Sequence, residues 1–397
     1  MNKMTIRDVE VGGKRVLVRV DFNVPLDEET GAITDDSRIR ATLPTIKYLI
    51  EQGAKVILIS HLGRPEGKVV DKLRLTVVAQ RLSQILGQQV GVARDCIGAE
   101  VEESVKSLRS GAVLLLENLR FHSAEERDSS LFARALARLA DIYVNDAFGT
   151  SHRSHASIMR IAEYLPAVAG LLLEKELETL GGILENPAHP FAAVLGGVKV
   201  SDKVGMLENI LDKVDYLLIG GGMAATFLKA KSYEVGKSLI ESDRLDTAAG
   251  LIEKAERNGV KLLLPVDVIV ADTVSAQAKV EAVSIKNVPP EWSIVDIGPQ
   301  TVKNFYGELR RCKTVFWNGP MGIYEVSQFA TGTQTIAKLL ANLNATTIMG
   351  GGSTAEVVVE MGLADKMTFV STGGGASLKF LGGGTLPGVE VLLDKKP

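Results

Sequence analysis

Cysteine is nearly missing from this chain. Its 397 residues include only Cys96 and Cys312, too few and too far apart for a disulfide framework or a thiolate metal site. Both are expected to be buried or idle thiols. Long hydrophobic runs are missing as well. The apolar stretch LPAVAGLLLEK, near the middle, falls well short of the ~20 residues a membrane-spanning helix needs. The first residues, MNKMTIRDVEVGGKRV, contain no apolar segment of the secretory kind, so a cytoplasmic location is expected. Neither sign of charge dominates: a net charge of −3 lacks the basic excess of a nucleic-acid binder. No nucleic-acid or membrane partner is expected, and no repeat or low-complexity segment occurs. What is there, 46% hydrophobic and 23% charged residues, suits a soluble protein with large cores. The length suggests two or three domains at roughly 150 residues each.

Arginine and glycine divide the chain. Sixteen of the 20 arginines and all five histidines precede position 190, whereas 25 of the 39 glycines follow it. Arginine grips carboxylate or phosphate bidentately, and glycine clusters suit main-chain cradling of phosphates. Drift in surface composition would account for the arginine bias alone. It explains less well where these residues sit.

Ten strand-like runs alternate with amphipathic helical stretches. The first half has RVLVRVDF, KVILISHL, VLLLEN and DIYVNDAF; the second has FAAVLGG, YLLIGGG, KLLLPVDV, TVFWNGP, TTIMGGG and MTFVSTGGG. Short continuous apolar runs between helices imply parallel strands buried on both faces and joined by right-handed crossovers. Two α/β lobes facing each other follow, one arginine-rich and one glycine-rich. The boundary is expected in YLPAVAGLLLEKELETLGGILENPAHP, a helix closed by Gly181-Gly182 and a proline-bearing link. Ligands of open parallel sheets bind beyond the carboxyl ends of the strands, which is where the unusual residues fall.

RVLVRVDFNVPL sets Arg19, Asp21 and Asn23 on one face of an emerging strand. Such a polar stripe is costly on a buried strand unless it meets a ligand or partner; an internal Arg19–Asp21 pair is the structural alternative. SHLGRP offers His61 and Arg64 beside a glycine turn, and LENLRFH offers Arg120 past another strand end. NDAFGTSHRSHAS packs His152, Arg153 and His155 together. His-x-x-His spacing could suggest a metal, but no third ligand of the right kind is near and an interposed arginine repels a cation. With Arg38, these groups read as a pocket for a small, strongly anionic substrate, gripped by charge-assisted hydrogen bonds.

In the second half, GGVKVSDKVGMLENIL places Lys199 and Lys203 four residues apart, on one face of a helix expected to begin after Gly196-Gly197. A solvated lysine face is the plain explanation; the preceding strand and glycine turn favour phosphate binding. LLIGGGMAATFL matches the G-x-G-x-x-A dinucleotide fingerprint at Gly220, Gly222 and Ala225, but no second strand with a terminal acid follows at the required distance. In WNGPMGIYE, Glu325 could hold ribose hydroxyls. TTIMGGGSTAEVVVE and VSTGGGASLKFL share a strand–Gly₃–helix plan that seats an anion, without the Lys-Ser or Lys-Thr of the Walker loop. Protein-kinase signatures, a Ser/His/Asp pattern and a G-x-S-x-G elbow are all missing. Sites for a small anion and a polyphosphate, without a nucleophile, point to phosphoryl transfer by positioning and charge neutralisation.

RVDFNVPL, SHLGRP, ENLRF, GTSHRSH, GGVKVSDKV, GGGMA, WNGPMGIYE and STGGGASL together resemble the phosphoglycerate kinase family, in matching order over essentially the whole chain. The resemblance implies a cytoplasmic glycolytic phosphotransferase with a carboxyl acceptor. It would convert 1,3-bisphosphoglycerate and ADP reversibly to 3-phosphoglycerate and ATP, with Mg²⁺ and with ATP or ADP as co-substrate. It also implies a monomer of two Rossmann-like lobes, each with a mainly parallel sheet flanked by helices, closing about a hinge. The domains would be 1–168, binding 3-phosphoglycerate, and 169–384, with the interdomain helix and the nucleotide site; the tail 385–397 would pack back on the first.

Carried over by motif, Asp21, Asn23 and His61 would hold the glycerate, and Arg64, Arg120 and Arg153 its 3-phosphate, with His152 and His155 adding to the basic patch. Arg38 and Lys203 would stabilise the phosphoryl group in flight, with Lys199 close by. Glu325 would bind ribose. Gly220, Gly221, Gly222, Gly298 and the NGP turn (Asn318, Gly319 and Pro320) would line the adenosine pocket, and Gly197 would also bind the nucleotide. The turns at Gly351, Gly352, Ser353 and Thr354 and at Gly374 would cradle the phosphates, Gly374 as a catalytic group. One residue departs from the family. Ser353 stands where the family usually has an aspartate taken as a Mg²⁺ contact; it is expected to cap its helix or to meet a phosphate or the metal's water. The rival classes are a nicotinamide dehydrogenase, which would bind NAD and ignore ATP, and a non-catalytic nucleotide-binding protein.

Overall fold

The computed structural model describes residues 2–395. Its first sheet contains β1 (Arg15–Arg19), β2 (Lys55–Ile59), β3 (Val90–Val92), β4 (Val113–Leu115), β5 (Ile142–Asn145) and β6 (Ala167–Ala169). Their order is β3-β4-β2-β1-β5-β6, and every neighbouring pair is parallel. Then come β7 (Phe191–Leu195), β8 (Tyr216–Ile219), β9 (Lys261–Leu263), β10 (Asp267–Ala271), β11 (Val280–Ser284), β12 (Ser293–Ile297), β13 (Thr314–Asn318), β14 (Thr346–Met349) and β15 (Phe369–Val370). Six of these form a second parallel sheet, β15-β14-β13-β7-β8-β9, while β11-β10-β12 form a small antiparallel one.

Continuous apolar runs make these strands because both faces are covered. Val16, Val18, Val56 and Leu58 share one core with Ile46 and Leu49 of helix Leu43–Glu51 and Leu82 of helix Thr76–Leu86. Val194, Val315, Trp317 and Met349 share another with Phe305 of helix Pro299–Leu309 and Ile336 of helix Thr331–Ala341. Burying each such side chain stabilises by roughly 1.5–3 kcal/mol, so the strand ends are firmly placed.

All ten expected runs contain strands, and the α/β class holds. One run is more complex than its apolar pattern suggests. KLLLPVDV is two strands, broken near Pro265, which has no N–H for a ladder; β9 stays in the parallel sheet and β10 leaves it. The edge strands β3 and β6 have three residues each, too few to show a period.

The chain forms two compact units, one running to Glu178 and resuming at Thr385, the other Thr179–Gly384. The crossing lies inside helix Leu171–Glu185. Gly181-Gly182 does not close that helix, contrary to expectation. Buried Leu180 and Ile183 flank the pair, and their apolar face carries the helix across the two glycines; Asn186 N–H still donates to the Gly182 carbonyl at 2.9 Å. Within the first unit the tail is tied down by Met4 N–H to the Leu393 carbonyl at 2.7 Å and Leu393 N–H to that of Ala167 at 2.9 Å. Asn145 Nδ2 donates to the Gly388 carbonyl at 2.8 Å.

Candidate functional site

Register brings the first unit's polar residues to one edge: Arg19, the last residue of β1, pairs with Ile59 of β2 and Asn145 of β5. Arg19 is 1% exposed. Its Nε donates to Ser157 Oγ at 3.0 Å and Nη1 to the Val20 carbonyl; Nη2 lies 3.2 Å from His61 Nδ1. A guanidinium can only donate, so Nδ1 accepts and the neutral ring carries its proton on Nε2. Burial, then the charges of Arg19, Arg120, Arg38 and Arg153, push His61 well below its usual value. Burial, followed by Arg120, Arg153, Arg19 and His152, pushes His155 down to about 4. Both imidazoles are therefore neutral at pH 7, surrounded by guanidiniums whose mutual repulsion an anion would relieve.

The alternative of an internal Arg19–Asp21 pair does not hold. Asp21 instead pairs with Arg38 at 2.6 Å. Asn23 Oδ1 accepts from Gly63 N–H at 2.8 Å, and Arg120 Nη1 donates to the Gly63 carbonyl at 2.8 Å, so these two fix the SHLGRP turn from both sides. Arg64, on that turn, is exposed. Two supporting residues escape sequence reasoning. Glu125 is fully buried, and its carboxylate accepts from Ser157 N–H at 2.9 Å and Ser157 Oγ–H at 2.5 Å. Ser157 thus links Glu125 to Arg19. Burial holds Glu125 above the usual carboxylate range. Neither residue has a local sequence signature.

In the second unit, the glycine turns after β7, β8 and β13 pack main chain on main chain. A Cβ on Gly221 would lie 2.6 Å from Gly197 N and from the Pro320 carbonyl. Gly197 N–H donates to Pro320, Gly220 N–H to Leu195 and Gly221 N–H to Met321 carbonyls, at 2.8–2.9 Å. These amides are already occupied, so the glycines here serve close approach. The Gly₃ turns differ. Gly351 and Gly352 take φ of 56° and 58°, which glycine adopts without strain, and a Cβ on Gly351 would sit 2.7 Å from Gly373 C. Helices Ser353–Glu360 and Gly374–Leu381 begin just after these turns, and neither has a side-chain cap. Among the described residues none accepts from the first amides of either helix, which are open to an anion or water.

Lys203 stands beside them. It is 7% exposed, and its Nζ donates to Asn318 Oδ1, whose Nδ2 in turn donates to the Gly350 carbonyl. Burial brings its ammonium down to about 8, the state a bound polyanion would reverse. Lys199 and Lys203 do not share a helix face. Residues 200–203 form a turn, closed by Lys203 N–H to the Val200 carbonyl at 2.9 Å, and the helix begins only at Val204. Lys199 is exposed, as is Glu325. Thr354 Oγ1 accepts from Gly319 N–H at 2.6 Å and so holds the NGP turn. Gly298 precedes helix Pro299–Leu309, whose N-terminus is taken by Asp267: its carboxylate accepts from Gln300 N–H at 2.9 Å and Thr301 N–H at 2.7 Å. Ser353 does not cap its helix; Gly352 occupies the N-cap position and Ser353 is the first helical residue.

For Mg²⁺ the donors must be hard oxygens. Asp202 is exposed and lines a cavity of about 580 Å³ with Gly375 and Leu378 of helix Gly374–Leu381. The Asp202 carboxylate and the Ser353 hydroxyl are both hard-oxygen donors of the kind Mg²⁺ takes. Among the described residues, a cluster of three metal-ligating side chains is Asp95, Cys96 and His122, in the first unit, where the soft thiol suits Mg²⁺ poorly.

Two parallel-sheet units, one crowding guanidiniums at its strand ends and the other setting uncapped helix N-termini beside a buried lysine, have the make-up of a phosphotransferase that works by positioning and charge. A family model described as phosphoglycerate kinase matches residues 6–384. Curated relatives named phosphoglycerate kinase are 55% identical in Pelotomaculum thermopropionicum and 54% identical in Moorella thermoacetica, each over 395 residues and the whole of both chains. Solved phosphoglycerate kinases from Coxiella burnetii (43% identity, TM-score 0.85) and Pyrococcus horikoshii (33%, 0.87) each align over 98% of both chains. The chain belongs to the phosphoglycerate kinase family. It is a kinase of glycolysis that transfers a phosphoryl group reversibly between 1,3-bisphosphoglycerate and ADP, giving 3-phosphoglycerate and ATP.

Proposed function

We propose that the guanidiniums around His61 bind 3-phosphoglycerate and that the uncapped helix N-termini beside Lys203 bind the nucleotide's phosphates. The observation that carries this reading is the convergence of Arg19, Arg38, Arg120 and Arg153 on one buried, neutral imidazole. Asp21, Asn23 and His61 orient the glycerate, and Arg120 and Arg153, with Arg64, His152 and His155, take its phosphate. Arg38 and Lys203 meet the charge that develops on the transferring group. Glu325 takes the ribose. Asp202 and Ser353 contribute oxygen donors for Mg²⁺, which when bound neutralises charge on the phosphate oxygens. The enzyme works in the cytoplasm as a monomer, and its units close about both substrates, because water would otherwise accept the phosphoryl group. A coupled assay supplying ATP and 3-phosphoglycerate, with Mg²⁺ or a chelator, tests this: ADP should form only with both substrates and the metal. ADP release without 3-phosphoglycerate, or none at all, overturns it.

A further inference from the structure

We propose that Glu241 is a positioning residue for phosphoryl transfer, its carboxylate clamping the turn 200–203 and thereby setting where Lys203 stands against Asn318. The inference rests on the role given to Lys203 above.

Both oxygens of Glu241 are spent on one residue of that turn: Ser201 N–H donates to Oε2 at 3.1 Å and Ser201 Oγ–H to Oε1. Ser201 is the second of four residues whose ends are bonded, Lys203 N–H to the Val200 carbonyl at 2.9 Å. Leu207 N–H then donates to the Lys203 carbonyl at 2.8 Å, opening helix Val204–Ile210. Glu241 is itself anchored, its N–H donating to Oγ1 of Thr226 at 3.2 Å. Thr226 is fully buried in helix Met223–Ala230. A continuous hydrogen-bonded path thus runs from a buried helix, through Glu241 and Ser201, to the lysine turn.

The turn needs such an anchor. It follows Gly196-Gly197 and the exposed Val198 and Lys199. Val200 is fully buried and pins its first residue, but Asp202, just before Lys203, is exposed, so beyond Val200 the path of the turn depends on hydrogen bonds. Lys203 meanwhile is a buried ammonium that water would solvate better than one amide oxygen does. Without the clamp, the turn relaxes and lets Lys203 move toward solvent. Displacing a group that acts on the transferring phosphoryl by even ~1 Å costs on the order of 10²-fold in rate.

Glu241→Gln keeps the side chain's size while removing its charge and one acceptor; Ser201→Ala removes the matching donor. Both variants should melt near the parent temperature yet lose roughly 10- to 100-fold in kcat, with the nucleotide KM changing far less. Because they break one link, the double variant should be no worse than Glu241→Gln alone, and Glu241→Gln should add nothing to Lys203→Met. If Lys203→Met lowers kcat but Glu241→Gln and Ser201→Ala leave it intact, the clamp is overturned while the lysine's role stands. If Glu241→Gln only lowers the melting temperature, Glu241 merely holds structure and the proposal fails. If Lys203→Met itself leaves kcat unchanged, the role of the lysine and the clamp fall together.

Discussion

Arg38 is tethered within the protein itself, by its 2.6 Å pair with Asp21. A guanidinium held this way is aimed in advance, and aim matters most where charge appears only in the transition state. Arg38→Ala should lower kcat by about 10²-fold or more with a smaller change in substrate affinity. Steady-state kinetics in both directions check this; a large affinity loss at unchanged kcat would move Arg38 to a binding role. His155 gives a different handle. Its folded-state value of about 4 lies below the roughly 6.5 of an unfolded histidine, so the unfolded chain binds more protons between those values. Stability should fall as pH drops from 6.5 to 4, by up to about 3 kcal/mol from this residue, and His155→Gln should flatten that fall. Urea melts of both proteins at several pH values measure it; parallel pH curves would sink the assignment. Spacing along the sequence exposes Asp21, Asn23, His61 and Arg120, because strand ends advertise themselves by hydrophobic runs that stop at polar residues. It hides Glu125, Ser157 and Glu241. Their partners come from distant segments, and nothing local distinguishes a buried glutamate from a surface one.

Short elements rather than single side chains make the region proposed to bind the nucleotide. The strand–Gly₃–helix plan at 346–360 and 367–381 is legible because apolar runs, glycines and helical periods succeed one another. The 200–203 turn is not, since Lys199 and Lys203 have helical spacing and the bonds made by Ser201 go to Glu241, 40 residues along the chain. The same limit applies to the glycines: sequence shows their clustering, whereas only the packing of three turns shows which amides are already taken. Ser353, at the first position of an uncapped helix, is where added charge should have a conditional effect. A carboxylate there repels nucleotide phosphates unless a cation lies between them. Ser353→Asp should therefore tighten Mg²⁺–ADP binding and leave metal-free ADP binding unchanged or weaker. Calorimetric titrations with Mg²⁺ and with a chelator decide the matter; equal weakening in both would place the metal elsewhere.

At the scale of the whole molecule, chemistry by positioning requires that the two substrates meet with water excluded. Small-angle scattering should give a smaller radius of gyration with 3-phosphoglycerate and nucleotide together than with either one, and an unchanged radius at saturation would count against closure. The tail bears on a different matter, the order in which the protein is made. The first unit is not contiguous in the chain: Asn145 in β5 finds its carbonyl at Gly388, and Met4 finds its own at Leu393. A ribosome delivers those partners only after all of Thr179–Gly384 has emerged. The unit begun first is thus the one finished last, and each molecule must hold its N-terminal sheet partly unsealed until the second unit has left the exit tunnel.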